Sequence, residues 1–179
     1  MSSRSPAIAC IGIIGKHNNP LHTSLFPPPP ARDPLDFSFL LSSSLDVFDA
    51  RAPLKTADQD FGLLTAVDDR LAMYGWLTNT GVKFVVVVDM EGRPAGIASS
   101  GIGGSAAVGL RDADLKPVFR ALQTAYIGLL RNPFYEPDDH SPVSANVVGR
   151  VGSTQITSKK FIAEVKRIGE SWAPGVTNL

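Results

Sequence analysis

Hydrophobic and polar positions along this chain follow two rhythms, and the change from one to the other marks its elements. From Leu115 to Leu130 the apolar residues Leu115, Val118, Phe119, Leu122, Tyr126, Leu129 and Leu130 recur at steps that keep to one helix face. Asn132-Pro133 forbids continuation, because proline has no N–H and disfavours the helical conformation in the residue before it. The aromatic pair Phe134-Tyr135 follows at once and is expected to pin the chain back onto the core. Asp112 or Asp114 is expected to cap this helix.

Two further helices have the same rhythm. Asp33-Pro34 reads as an N-cap followed by proline at the first helical position, and Phe37, Leu41, Leu45 and Phe48 form its apolar stripe, with Pro53 as the stop. Ser42, Ser43, Asp46 and Asp49 fall largely off that stripe, and the two aspartates, three apart, share a face. Near the end of the chain Thr157 or Ser158 caps a helix with Phe161, Val165 and Ile168 inward, ended by Pro174.

The other rhythm is that of strands. Ala7 to Gly15 is apolar without charge and reads as a buried strand; a His17-Asn18-Asn19-Pro20 turn leads to a second strand, Leu21 to Phe26, antiparallel to the first. Pro27 to Pro30 cannot join a ladder and predicts an extended connection, with a proline-recognition ligand as the lesser reading. Phe61 to Val67, Leu71 to Thr78 and Val82 to Asp89 form a meander, separated by Asp68-Asp69-Arg70 and Asn79-Thr80-Gly81, residues that tolerate tight turns. The run Phe84 to Val88 carries apolar residues on both faces and predicts a central strand.

Two segments have neither rhythm. Glu91 to Gly109, with six glycines and almost no charge, reads as a flexible insertion, and 136–154 as an irregular loop. The order is β-β-α-β-β-β-α-α, an α+β sandwich of five antiparallel strands and three helices, expected to form a single domain over 1–179.

Composition narrows the function classes. With 17 basic and 17 acidic side chains the formal charge is zero, which argues against nucleic-acid binding and against direct binding to an anionic membrane. Cys10 is the only cysteine, so no intramolecular disulfide can form and a reducing cytosol is the expected compartment. The first residues make a poor signal peptide and Phe84 to Val88 is too short to span a membrane, so the expectation is a soluble, cytoplasmic protein.

Candidate chemistry is weak throughout. Gly101-Ile102-Gly103-Gly104-Ser105-Ala106 fits the letters of a dinucleotide loop but lies far behind its strand, in an antiparallel pattern. Gly103 to Ala107 falls one residue short of a nucleophile elbow, so Ser105 with His140 makes no convincing triad. His17, His22, His140 and Cys10 show no metal-ligand spacing. The pairs Asp68-Asp69 and Asp138-Asp139 sit in turns, where aspartate is favoured for backbone reasons. Asn132-Pro133-Phe134-Tyr135 matches N-P-x-Y, a turn peptide bound by phosphotyrosine-binding-type domains, though its place beside a core helix favours a structural role. No enzyme, cofactor or metal is expected.

The ordered set of segments resembles a known family. Ile8 to Lys16 with Asn19-Pro20-Leu21, Ser44 to Asp49, the meander from Phe61-Gly62-Leu63-Leu64 through Tyr74 to Asn79 and Val82 to Asp89, and Phe119-Arg120 with Asn132 to Tyr135 are similar to the sedlin-like subunits of the TRAPP vesicle-tethering complex. The Gly-Leu-Leu start of the meander and the Thr-Asn turn resemble the sedlin-2-like branch, whereas Glu136-Pro137 resembles sedlin itself. The resemblance implies a longin-like (profilin-like) fold and a non-enzymatic adaptor, without cofactor, peripheral at Golgi and ER–Golgi membranes. Implied partners are other TRAPP subunits, including the large subunits specific to TRAPPII, and indirectly a Rab GTPase, with membrane contact only through the complex. It also implies partner contact at Asp46 and, more weakly, Asp49. A longin-type regulatory domain that binds a SNARE or small GTPase directly is the alternative.

Overall fold

Four consecutive valines set the layering. In the computed structural model, which describes residues 4–27, 31–52, 59–94, 110–135 and 156–179, they belong to strand β5, Lys83–Pro94. Successive strand residues point to opposite faces: Phe84, Val86 and Val88 enter one core, Val85 and Val87 the other, and all five are fully buried. Both faces of the sheet are covered, as the lack of polar alternation in this run requires.

β5 pairs antiparallel with β1, Arg4–Ile14, on one side and with β4, Leu71–Leu77, on the other. β2, Pro20–Leu25, and β3, Gln59–Ala66, are the outer strands, giving the order β2-β1-β5-β4-β3. α1, Pro34–Arg51, covers one face. α2, Lys116–Leu130, and α3, Lys159–Ser171, cover the other. The chain order and the antiparallel five-stranded sheet are those expected, and the α+β arrangement is longin-like.

Turn chemistry holds the strands in register. Asp68 accepts from the backbone N–H of Arg70 and Leu71 at 2.7 and 2.6 Å, closing the β3–β4 hairpin. At the β4–β5 turn Gly81 has φ +85°, a left-handed conformation that favours glycine. A bulge in β1 between Ile8 and Cys10 puts Ala9 and Cys10 together in the α1 core while Ile8 and Ile11 face α2 and α3.

The structure departs from the sequence reading in several places. Glu91 to Pro94 continue β5 and pair with the start of β1, Ser5 opposite Arg93 and Arg4 opposite Pro94, so they are not part of an insertion. Glu91 is held there by Arg4 at 3.3 Å; residues 95–109 lie outside the described residues. In α1 the third inward position is Ser44, fully buried, whereas Leu45 is only half-buried, because steps of 4, 3 and 4 from Phe37 lead to Leu41, Ser44 and Phe48. Ser44 tolerates this by donating its hydroxyl to the Leu41 carbonyl at 2.6 Å. α1 stops at Arg51, before Pro53, which with 28–30 and 136–155 lies outside the described residues.

α2 is preceded by a 3-10 turn, Asp112–Leu115. Asp114 caps that turn by accepting from the Arg111 N–H at 3.0 Å, and Leu115, the residue before α2, has no side-chain cap. Leu130 leaves the inward stripe and is 38 % exposed. The aromatic pair does not act as a unit: Tyr135 packs on the core, but Phe134 is 90 % exposed. Asn132 explains the split, since its side chain accepts from the Phe134 N–H at 3.1 Å and its carbonyl from the Tyr135 N–H at 3.0 Å. The chain reverses within this turn. Ser158 caps α3 as expected, and the helix ends at Ser171, before Pro174, where the fully buried Trp172 donates its indole N–H to the Asp114 carbonyl at 3.1 Å.

Candidate functional site

α1 begins where Asp33 accepts from the Leu35 N–H at 2.9 Å and Pro34 supplies the first helical residue. Its inward stripe, Phe37, Leu41, Ser44 and Phe48, meets Ala9, Cys10, Leu64, Met73, Val85 and Val87. Close approach depends on two glycines in the sheet. A Cβ on Gly12 would lie 2.5 Å from a Leu41 methyl carbon, and one on Gly75 would lie 2.6 Å from Phe48. The far end of the helix is fastened by Arg51, whose guanidinium donates to the Leu63 and Leu64 carbonyls of β3 at 2.8 and 3.2 Å.

The face turned away from the sheet carries the candidate site. Leu35, Phe39, Ser42, Asp46 and Asp49 recur at steps of 4, 3, 4 and 3 and are all exposed, Phe39 by 66 %. This stripe is apolar at its N-terminal end and acidic at its C-terminal end. Ser38, Ser42 and Ser43 turn their hydroxyls to the helix's own carbonyls, so they neither cross-link the face nor add charge. An exposed Leu and Phe in line with two carboxylates can fill an apolar cup while taking charge-assisted bonds from Arg or Lys.

The two aspartates are not equivalent. Asp46 makes no ion pair among the described residues. Asp49 lies near enough to Lys83 to act on it: burial pushes the Lys83 ammonium down, and the Asp49 charge partly opposes this. Lys83 is buried in the sheet and donates to Asn18 Oδ1 at 2.7 Å, so Asp49 is partly engaged with its own fold. Sequence reasoning finds Asp46 and Asp49 but passes over Leu35 and Phe39; continuing the step of three and four backwards from Asp49 reaches both.

A second charged centre lies at the rim of the same helix layer. Asp89, 2 % exposed, accepts from Arg32 Nη2 at 2.9 Å, from Arg70 Nη2 at 3.1 Å and from the Glu91 N–H at 3.0 Å. Burial pushes its carboxyl up, but those hydrogen bonds and the two guanidinium charges outweigh it, and the group is held below the usual carboxylate range. Arg32 also lies over the Phe37 ring at 5.7 Å and donates to the Phe26 carbonyl at 2.7 Å, so this cluster fixes the start of α1 on the sheet.

The remaining candidates stay apart. His22 contacts Ser24 at 2.7 Å and lies edge-on to Phe161, away from Cys10, which is buried in the α1 core. The glycine run 101–106, Ser105, Asp138, Asp139 and His140 lie outside the described residues. Among the described residues no group of three His, Cys, Asp or Glu is placed to hold a metal, and no helix is long and apolar enough to cross a membrane. A groove of about 840 Å³ between α2 and α3 is lined by residues such as Arg120, Ala125 and Glu164 and by the C-terminal Thr177 to Leu179.

With this geometry in view, the family model described as Sedlin matches residues 13–171. The chain belongs to the sedlin family. Relatives of this sedlin-family chain include the trafficking protein particle complex subunit 2-like protein of Dictyostelium discoideum, 31 % identical over 165 residues that cover 90 % of this chain and 95 % of the relative. The protein of the same name from Rattus norvegicus is 32 % identical over 155 residues, covering 83 % of this chain and 94 % of the relative. These similarities agree with the sedlin-2-like branch rather than with sedlin itself. The matched region takes in α1 with its outward stripe, the meander, α2 and α3.

Proposed function

We propose that this chain is a non-catalytic assembly subunit of the trafficking protein particle complex, folded as one longin-like domain. In this reading it joins other subunits of the complex, including the large TRAPPII-specific ones, and supports the complex's nucleotide exchange on a Rab GTPase in ER–Golgi and intra-Golgi transport. Its place is the cytoplasmic side of Golgi and ER–Golgi membranes, held there through the complex.

The observation that carries the reading is the outward stripe of α1. It presents Asp46 and Asp49 on a rigid helix, continuous with exposed Leu35 and Phe39, while the opposite side of the helix is locked to the sheet. A partner that sets Arg or Lys against the two carboxylates gains charge-assisted bonds without any rearrangement of the core. Asp46 has the leading role and Asp49 a supporting one, because Asp49 already acts on Lys83.

The test is affinity purification of the tagged full chain from native cytosol under conditions that preserve large complexes, with bound proteins identified and quantified by mass spectrometry. Recovery of trafficking-complex subunits with wild type and their loss with Asp46→Tyr, at unchanged circular dichroism and melting, supports the reading. Recovery of a SNARE or small GTPase with no complex subunit overturns it, and loss of the fold in Asp46→Tyr overturns the interface role of that residue.

A further inference from the structure

After α3 the chain turns back onto the groove between α2 and α3. Trp172 is fully buried and fixed by its indole N–H on the Asp114 carbonyl, 3.1 Å away. A turn follows, closed by the Val176 N–H donating to the Ala173 carbonyl at 3.1 Å, and within it Gly175 has φ +87°. A Cβ on Gly175 would meet nothing within 4 Å, so the left-handed backbone, not lack of space, favours glycine there. Thr177, Asn178 and Leu179 then line the groove, and Leu179 packs against the core that α2 and α3 cover.

This tail is lightly held. Leu179 is half-buried, and Thr177 and Asn178 are exposed. Among the described residues none of the three takes part in a hydrogen bond or ion pair. One half-buried leucine is therefore what offsets the conformational entropy of ordering the tail. With the tail in place the groove still has a volume of about 840 Å³, inside the range of roughly 300–1,000 Å³ usual for ligand sites. Ala121, Ala125, Leu129 and Phe161 give it an apolar lining, and Gly128 leaves the α2 side open, since a Cβ on it would touch nothing within 4 Å.

The charges of the groove find no match in the tail. Arg120 is exposed, and its guanidinium has no hydrogen bond or ion pair among the described residues. Lys160, on α3, acts on Glu164 without pairing with it, and Glu164 is itself held by Arg167 at 2.6 and 3.1 Å. Glu164 is the only acidic side chain that lines the groove. The charged residues adjacent in sequence to the lining, Lys116, Arg131 and Lys159, are all cationic and exposed. Residues 176–179 carry no acidic side chain. The tail thus supplies an aliphatic anchor but no counter-ion, and a segment that supplies both binds better.

We propose that the segment 173–179 is a displaceable strap, seated in the α2–α3 groove in place of a peptide from a partner protein, and that this peptide is extended, with an aliphatic side chain where Leu179 packs and a carboxylate against Arg120 or Lys160. The tail itself states the kind of ligand, a short stretch of chain seated through one leucine. Thr124, Asn132 and Ser158 among the lining residues suit the polar backbone of a peptide better than an acyl chain. Gly175 is the hinge, because its turn can open while Trp172 stays buried. While the strap is seated, the apparent affinity of the groove is reduced to the fraction of molecules in which it is open. The groove lies on the opposite side of the sheet from α1, and its use does not depend on the assembly reading.

The test uses the purified full chain. Random peptides displayed on phage are selected on wild type, and the enriched peptides are synthesised. Their Kd is measured by fluorescence anisotropy on wild type, Arg120→Glu, Ala125→Trp, Gly175→Val, Leu179→Ser and Asp46→Lys. The enriched peptides are expected to combine an aliphatic residue with Asp or Glu. Arg120→Glu and Ala125→Trp should weaken them about tenfold or more. Gly175→Val and Leu179→Ser, which unseat the strap, should tighten them about tenfold, the factor for a strap seated in roughly nine-tenths of the molecules. Asp46→Lys should change nothing. At saturation with peptide the Leu179 methyl resonances of wild type should move to their unfolded-chain positions. Arg120 and Gly175 are exposed, so their variants are expected to keep wild-type circular dichroism and melting; an Ala125→Trp chain that does not fold leaves Arg120→Glu to decide.

No enriched peptide, or binding that Arg120→Glu leaves unchanged, overturns the site. Weaker binding in Gly175→Val and Leu179→Ser makes the tail a wall of the groove and overturns the strap, as do Leu179 resonances that stay in place at saturation. Peptide binding lost in Asp46→Lys assigns the peptides to α1 and overturns the groove. Binding of phosphatidylserine-containing vesicles or of a single-stranded oligonucleotide by wild type, lost in Arg120→Glu, assigns the cations to those anions and overturns the peptide. Each of these failures leaves the recovery of complex subunits, and with it the assembly reading, untouched.

Discussion

Arg32 and Asp89, 57 positions apart in sequence, meet at 2.9 Å beside the start of α1. Asp89 is nearly inaccessible and Arg32 largely so, which makes this a contact between the loop before the helix and the middle of β5 rather than a surface decoration. Removing one partner of such a pair leaves the other charge buried without compensation. Asp89→Asn is expected to lower stability by about 3 kcal/mol, read as a shift in the urea midpoint at unchanged m-value. Because Asp89 is held below its ordinary range, its contribution is fully present above the unfolded carboxylate value and is lost as pH falls through the folded one. Wild type should therefore lose stability on acidification more steeply than Asp89→Asn. Parallel acid profiles would show that the pair is not what anchors the helix.

The seat of α1 on the sheet rests on hydrogen at two positions. Gly12→Ala places a methyl 2.5 Å from Leu41, a side chain already packed in the core. Overpacking of this kind costs about 1–3 kcal/mol. Shortening the partner in the same background, as Leu41→Ala, should recover part of that loss in a double-mutant cycle. Strict additivity of the two changes would mean that the helix does not sit where Gly12 allows it.

How much of this is legible in the sequence depends on which force fixes each element. β5 is readable because a run apolar on both faces has only one favourable place, the sheet interior. α3 is readable because Ser158 and the Phe161, Val165, Ile168 spacing agree. Pattern fails where local geometry overrides it. Leu45 outranks Ser44 on hydrophobicity, yet the helical repeat carries Ser44 inward, and a hydroxyl that bonds to its own helix is buried at little cost. Its place directly after the proline stop assigns Phe134 to the core, while the Asn132 side chain turns the backbone the other way. Glu91 to Pro94 group with the glycines after them, because a strand extension held by cross-strand partners such as Arg4 has no pattern within itself. At the candidate site the carboxylates are visible from a family resemblance, and the apolar half of the stripe is not, since a search for core residues looks past exposed ones.

Cys10 offers a probe of the α1 layer. Burial pushes its thiol up to about 12, with the Arg32 charge opposing, so the thiolate is scarcely populated near neutral pH. Native protein is expected to react with a thiol-specific reagent only as fast as it opens, and denaturant should release a single rapid equivalent. Asp89→Asn, by loosening the start of α1, should accelerate the native-state reaction. Rapid reaction of the folded wild type would contradict the burial of this strand.

Asp46 and Asp49 share a face but should separate in a stability measurement. Asp49 opposes the desolvation of Lys83, whereas Asp46 has no counter-ion among the described residues. A lysine whose folded value is depressed disfavours folding while it is charged. The penalty shrinks as pH rises from the folded value towards the unfolded one, about 10.5. Asp49→Asn removes the opposing charge and deepens the depression, so it should lower stability near neutral pH by up to about 1 kcal/mol, an exposed-pair magnitude. The difference from wild type should close as Lys83 deprotonates. Asp46→Asn should leave the whole profile unchanged. If Asp46→Asn also shifts the denaturation midpoint, its carboxylate serves the fold, and a loss of partner recovery in Asp46 variants could no longer be assigned to the interface alone.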